Sequence, residues 1–191
     1  MSNGAKIAIG VVAVIVLLAV GIISWGVGEY NKVVTLDEAV KAQWAQVDNQ
    51  LKRRFDLIPN LVETVKGYAT HERELFENIA QARTKYFQAQ TPGDKIQASK
   101  QMDGFLSRLL VLSENYPQLK ANQSFLKLQD SLEGTENRIA VERKRYNDTA
   151  RVLNTYRRTV VGSIIASIAG VQPAAYYEIP AAQKEAPKVK F

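Results

Sequence analysis

Ile7 to Trp25 reads IAIGVVAVIVLLAVGIISW, an apolar run with no charge and, beyond Ser24 and the Trp25 indole, no hydrogen-bonding side chain. About 20 such residues, rising ~1.5 Å each in a helix, cross the ~30 Å hydrocarbon core of a bilayer. No later stretch is apolar for long enough to do the same. The chain therefore reads as a polar helical domain tethered to a membrane by one N-terminal transmembrane helix. A cleaved signal peptide is the rival reading. Signal h-regions run ~7–15 residues and end at an A-x-A-like site. Here the run is longer and only Gly26-Val27-Gly28 resembles such a site, which favours a retained anchor. Trp25 and Tyr30 flank its far end, where amphipathic aromatics prefer the interface.

The chain has 191 residues, so removing the anchor leaves one domain of ordinary size. Its formal net charge is +6, but the cations are spread among acidic residues. The densest clusters are Lys52-Arg53-Arg54, Arg143-Lys144-Arg145 and Arg157-Arg158. Such clusters on helices are usually solvated faces or inter-helix ion pairs. Next to a membrane they also attract anionic lipid, roughly 1 kcal/mol per surface cation. Nucleic acid is not expected as a partner. Cysteine is absent, which excludes disulfides, thiolate metal sites and Cys nucleophiles. Lys6 lies before the span, and Lys32 and Lys41 lie after it beside Glu29, Asp37 and Glu38. The cation count is nearly even. One Lys directly ahead of the apolar run favours the N-terminus inside and the domain outside.

Beyond the span, apolar residues recur at helical spacing. Thr35-Leu36-Asp37-Glu38 matches a capping box and predicts a helix start. Val40, Trp44, Val47, Leu51, Arg54 and Ile58 then form a 4-3 seam with one cation in it. Pro59 is expected to break or kink that helix or to open the next. In the last case Asp56 would face the new helix's free N–H groups. A second helix should carry Leu61, Val65, Tyr68, Glu72, Leu75, Ile79, Ala82 and Tyr86 on one face, stopped by Thr91-Pro92-Gly93. A third runs from Asp94 to about Asn115, with Ala98, Met102, Phe105, Leu109 and Leu112 as its seam. After a break at Tyr116-Pro117, a last long helix starts near Asn122 or Ser124. Its seam is Leu128, Leu132, Thr135, Ile139, Glu142, Tyr146, Thr149, Leu153, Tyr156 and Val160. Seams this long imply shallow knobs-into-holes packing, and short links favour antiparallel neighbours. The expected fold is all-α, an antiparallel helical bundle with long helices. The expected divisions are an anchor over 1–28, a bundle over 29–172 and an extended Pro-containing tail over 173–191. Val160 to Val171 is apolar but too short to span, leaving it a cap on the bundle or a segment on the membrane.

With the helices placed, the wording takes on a family character. Tyr30-Asn31, Trp44 through Val47-Asp48 and the block QLKRRFDLIPNLVETVKGYA over 50–69 resemble the LemA family. His71-Glu72, Ala82-Arg83, ENYPQLKA over 114–121, EGTENRIA over 133–140, Arg145-Tyr146-Asn147, Asn154 and APKVKF over 186–191 extend the resemblance. It implies an N-terminally anchored bundle of the bacterial envelope. Many similar proteins carry a lipoprotein Cys where this chain has Gly26-Val27-Gly28, which implies a domain on the extracytoplasmic side. No catalytic activity is established for that family. One branch occurs in magnetosome membranes, which implies a part in membrane organisation.

The residues offer little chemistry of their own. Trp44, Tyr68, Tyr86, Tyr146 and Tyr156 on seams read as core. His71 is the only histidine, so di-iron Glu-x-x-His pairs and His- or Cys-rich zinc sites cannot be assembled. It reads as a surface or capping residue. No nucleophile elbow or phosphate loop occurs. No catalytic residue, metal ligand or cofactor is therefore assigned. The unusual feature is charge on the seams. Arg54, Glu72 and Glu142 occupy positions that should face the interior, where an unpaired charge costs several kcal/mol. Glu136, Asn137, Arg143 and Asn147 lie nearby on the last helix. These residues with Asp56 and Asn60 form either a polar layer fixing helix register or a partner site. The expected function is a non-enzymatic scaffold or adaptor anchored in the bacterial inner membrane. Its partners would be lipid around the N-terminal helix and an envelope protein or a second copy. The alternatives are a lipid-organising protein acting through a basic bundle face and a metal-dependent enzyme using seam carboxylates.

Overall fold

The computed structural model describes residues 3–69 and 71–178. The part of the expected tail from position 179 onward lies outside them. The described residues form helices and no strands: α1 (Asn3–Lys66), α2 (Arg73–Gln88), α3 (Pro92–Glu114), α4 (Pro117–Lys120), α5 (Gln123–Arg157) and α6 (Val160–Ile168).

The capping box at Thr35 does not start a helix, because α1 already runs through it. A cap serves N–H groups that lack a carbonyl one turn back. Here that turn is present, and the Thr35 hydroxyl donates to the Asn31 carbonyl at 2.8 Å. Ion pairs of Lys32 with Glu29 and of Lys41 with Asp37 and Glu38 support the same stretch.

Pro59 does not end the helix either, so Asp56 caps nothing. It lies exposed in the interior of α1. Proline has no N–H for the carbonyl of residue 55. That orphaned Phe55 oxygen accepts from Arg83 Nε on α2 at 3.4 Å. The helix continues to Lys66 and stops at Gly67, after which Tyr68 and Ala69 both donate to the Val65 carbonyl. The single helix expected from Leu61 to Tyr86 is thus two. The break moves Glu72 from an interior seam to the N-cap position of α2, half-buried.

α3 begins as a capped helix: Pro92 occupies the first turn and the Thr91 hydroxyl accepts from the Asp94 N–H at 3.2 Å. At the Tyr116-Pro117 break a single turn, α4, buries Leu119. The Asn122 side-chain oxygen then accepts from the N–H groups of Ser124 and Phe125 and opens α5. α5 ends at Arg157, so Val160, expected as its last seam residue, starts α6 instead and is 81% exposed.

The chain divides into two compact units. One comprises Met1–Lys41 and Thr149–Ala174, the other Ala42–Asp148 and Ala175–Phe191. In the first, the apolar segment of α1 is wholly exposed along its spanning window. A core helix of a soluble protein would be buried there. Beyond it Val33 and Val40 are buried, as are Ala150 and Leu153 of α5 and Gly162 and Ala166 of α6.

In the second unit, pairings fix the helix directions. Phe55 of α1 stacks on Tyr86 of α2 with centroids 4.1 Å apart, while Lys66 lies over Phe76. Trp44 meets Tyr146 of α5 edge-on, while Tyr68 accepts from Asn122. In both cases the partner's number falls as α1 advances, so α2 and α5 run antiparallel to α1. Asp48 with Lys95 and Arg54 with Asp103 rise together, so α3 runs parallel to it. This is an up-down-up-down bundle whose interior holds Leu51, Phe55, Ile58, Ile79, Met102, Leu109 and Ile139.

Arg83 should therefore matter because of Pro59. Arg83→Ala should lower stability by about 1 kcal/mol. In a Pro59→Ala background the same change should cost measurably less, since the Phe55 carbonyl regains a backbone donor. A denaturant double-mutant cycle reads the coupling, and strict additivity would remove this account of how α1 passes Pro59.

Candidate functional site

Arg54 is a seam residue of α1, and its side chain is only 8% exposed. A desolvated guanidinium needs its fork filled, and Arg can serve two carboxylates at once. Its Nη2 lies 2.6 Å from Asp103 of α3 and its Nη1 donates to Glu136 of α5 at 2.9 Å. One cation thus ties together three helices.

These residues floor a half-open groove of about 210 Å³ between α1, α3 and α5. Leu61, Leu106, Leu110 and Leu132 give it apolar walls, and Glu133 lies at its edge. One arginine against Asp103, Glu133 and Glu136 leaves the groove with a net charge of −2. Its chemistry favours a cationic group on an apolar stem. Glu136, 47% exposed, is the carboxylate best placed to turn toward such a group.

The other residues singled out in the sequence do not join this cluster. Asp56 faces Arg83 at 4.0 Å. Asn60 is exposed on α1, and its carbonyl accepts from the Thr64 hydroxyl. Glu72 borders a separate open depression between α2 and α3. Asn137 is exposed on α5. Glu142 accepts from Gln43 of α1 at 2.7 Å and from Arg145 at 2.8 Å. Arg143 lies 5.6 Å from the centre of the Tyr177 ring. Asn147 bonds the Tyr177 backbone twice, donating to its carbonyl at 3.0 Å and accepting from its N–H at 2.9 Å. Arg143 and Asn147 therefore hold the segment after α6 in place. Tyr177 is buried, and its hydroxyl shares a hydrogen bond with Ser99 at 2.9 Å.

A second polar knot went unread in the sequence. Asp48 accepts from the Tyr86 hydroxyl at 2.7 Å and pairs with Lys95 at 2.7 Å. Burial, reinforced by the Asp48 carboxylate, pushes the Tyr86 phenol well above its usual range. Asp48 and Asp103 each sit one position from a seam residue, Val47 and Met102. That adjacency was the available signal. Among the described residues no three His, Cys, Asp or Glu side chains cluster in a way that could hold a metal ion. His71 is exposed.

Two outcomes follow from these contacts. Arg54→Met should destabilise the bundle by roughly 2–4 kcal/mol, by stranding Asp103 beside an apolar wall. Glu136→Gln should cost under about 1 kcal/mol, because that carboxylate is half in water. Denaturant melts of the two variants check the order. Burial also pushes the Tyr177 phenol up to about 12, against about 10 in an unfolded chain. The unfolded state then loses its proton first as pH rises. The stabilisation this group contributes is full below about pH 10 and is lost between about 10 and 12. Tyr177→Phe should flatten the alkaline limb of a stability–pH curve over that window.

The chain is 26% identical over 189 residues to the protein named Magnetosome protein MamQ 2 of Paramagnetospirillum magneticum, covering 85% of this chain and 70% of that one. Magnetosome protein MamQ of Magnetospirillum gryphiswaldense is 25% identical over 191 residues, with 86% and 70% covered. Protein LemA of Metamycoplasma hominis is 23% identical over 130 residues, with 68% of this chain and 59% of the relative covered. The family model described as LemA family matches residues 43–191, most of the chain, which therefore belongs to the LemA family.

Proposed function

We propose that this protein is a non-enzymatic scaffold or adaptor of the bacterial cell envelope. It is held in the inner membrane by the first part of α1, with its bundle on the extracytoplasmic side. The groove floored by Arg54 is the observation that carries the reading. It joins apolar walls to an excess of carboxylates, the chemistry of a docking site for a basic, partly apolar segment of another envelope protein or of a second copy. The seam carboxylates Glu72, Glu136 and Glu142, on which a metal-dependent enzyme would draw, make separate contacts. The similarity to magnetosome proteins supports a role at a membrane. Lys6 ahead of the span and the mixed charges after it support the outward placement.

A photo-crosslinking residue at Leu110, 39% exposed on the groove wall, tests the docking in native membranes. The expected outcome is a discrete protein adduct that is absent when the probe sits at exposed Gln101. An uncrosslinked monomer at both positions would sink the proposal. Because native cysteine is absent, one Cys at Lys188 or at Asn3 and an impermeant maleimide on whole cells read the side. Labelling at position 188 alone agrees with the outward bundle, and labelling at position 3 alone reverses it.

A further inference from the structure

α6 presents an apolar face that is exposed among the described residues. Val160, Ile164 and Ile168 follow one another at every fourth residue and are 81%, 58% and 69% exposed. Ser163 and Ser167 complete the exposed arc, while the opposite side buries Gly162 and Ala166. No Asp, Glu, Lys, Arg or His occurs between Arg158 and Glu178. An exposed helical face normally carries charge, and this one carries none.

The contacts of the same unit place that face. The Tyr156 hydroxyl donates to the Glu29 carboxylate at 2.7 Å, and Lys32 lies over the Tyr156 ring at 4.9 Å. Glu29 is the first ionisable residue after the spanning run, four residues and ~6 Å along α1 from Trp25. α6 begins four residues after Tyr156. The chain returns to the same level when Asn154 donates to the Ala174 carbonyl and accepts from the Ala174 N–H. Both ends of the α6 hairpin are therefore pinned beside the point where α1 leaves the bilayer.

The hairpin is also built to tolerate an apolar surrounding. The Thr159 hydroxyl accepts from the Gly162 N–H, and the Ser163 hydroxyl donates to the Val160 carbonyl. At the far end Val171 and Gly170 donate back to Ala166 and Ser167, a Schellman closure with Gly170 at φ 68°. A Cβ on Gly162 would come 2.0 Å from the Tyr156 carbonyl oxygen, so only glycine lets α6 fold back this closely. Arg158, exposed at the hairpin's entry, supplies a cation at headgroup level.

We infer that α6 is an interfacial membrane helix: Val160, Ile164 and Ile168 sit in the headgroup–acyl boundary of the same leaflet that α1 leaves. A face of this kind rests roughly 5–10 Å into that boundary. The protein thus grips one leaflet at two points, a span and a lateral blade. This rests on α6 and the α1 exit alone and stands or falls apart from the docking groove.

The test uses the full chain in vesicles of phosphatidylcholine with a minority of phosphatidylglycerol. Ile164→Cys carries an environment-sensitive dye, and Val141→Cys, also exposed but on the bundle, carries the same dye as a control. The expected result is that the Ile164 dye is quenched by spin-labelled lipid and resists aqueous iodide several-fold better than the Val141 dye. Equal iodide quenching at both sites overturns the inference. So does an Ile164 dye shielded from both quenchers, which would mean that protein, such as a second copy, covers the face.

Discussion

A guanidinium stripped of water has to be repaid in hydrogen bonds, and the bundle unit is arranged around that requirement at Arg54. Its two carboxylate partners come from different helices, so the pairing fixes the axial register of α3 and of α5 against α1 together. Apolar seams alone allow sliding by a turn with modest loss, since leucine meets leucine again. A charge triad has one register only. The residues that tie the three helices together also line the groove, together with Leu61, Leu106, Leu110 and Leu132.

Much of the fold was legible because helical periodicity is read directly from spacing. The span, the all-α class and the long seam of α5 through Ile139, Tyr146 and Leu153 follow from where apolar residues recur. The errors share a physical origin: each depends on something outside the local window. Whether Thr35 caps a helix depends on whether the turn before it is already helical. At Pro59, where a break, a kink or a new start were open, the helix continues, and the Phe55 carbonyl finds its donor on α2. Glu72 left its seam because α1 stops at Lys66 and α2 starts afresh at Arg73, where periodicity alone runs one helix from Leu61 to Tyr86.

The candidate site was half legible. Arg54 stood out as a cation among apolar seam positions, and Glu136 was grouped with it on the last helix. Asp103 was missed because it flanks a seam residue instead of replacing one, and periodicity is blind to flanks. Arg143 and Asn147 were grouped with Arg54 by closeness in sequence along α5. Successive turns of a long helix face different neighbours, and theirs is the segment carrying Tyr177.

The contact between Arg83 and the Phe55 carbonyl has a historical consequence. A proline arriving at position 59 before a suitable donor existed opposite would have met the full cost of an orphaned carbonyl. Acquiring the donor at 83 first, or the two nearly together, avoids that loss. Once Pro59 is in place, a side chain at position 83 that cannot reach back across the helix gap forfeits about 1 kcal/mol. Among related chains the two positions should change as a pair, and the donor should be free to vary only where the proline is missing.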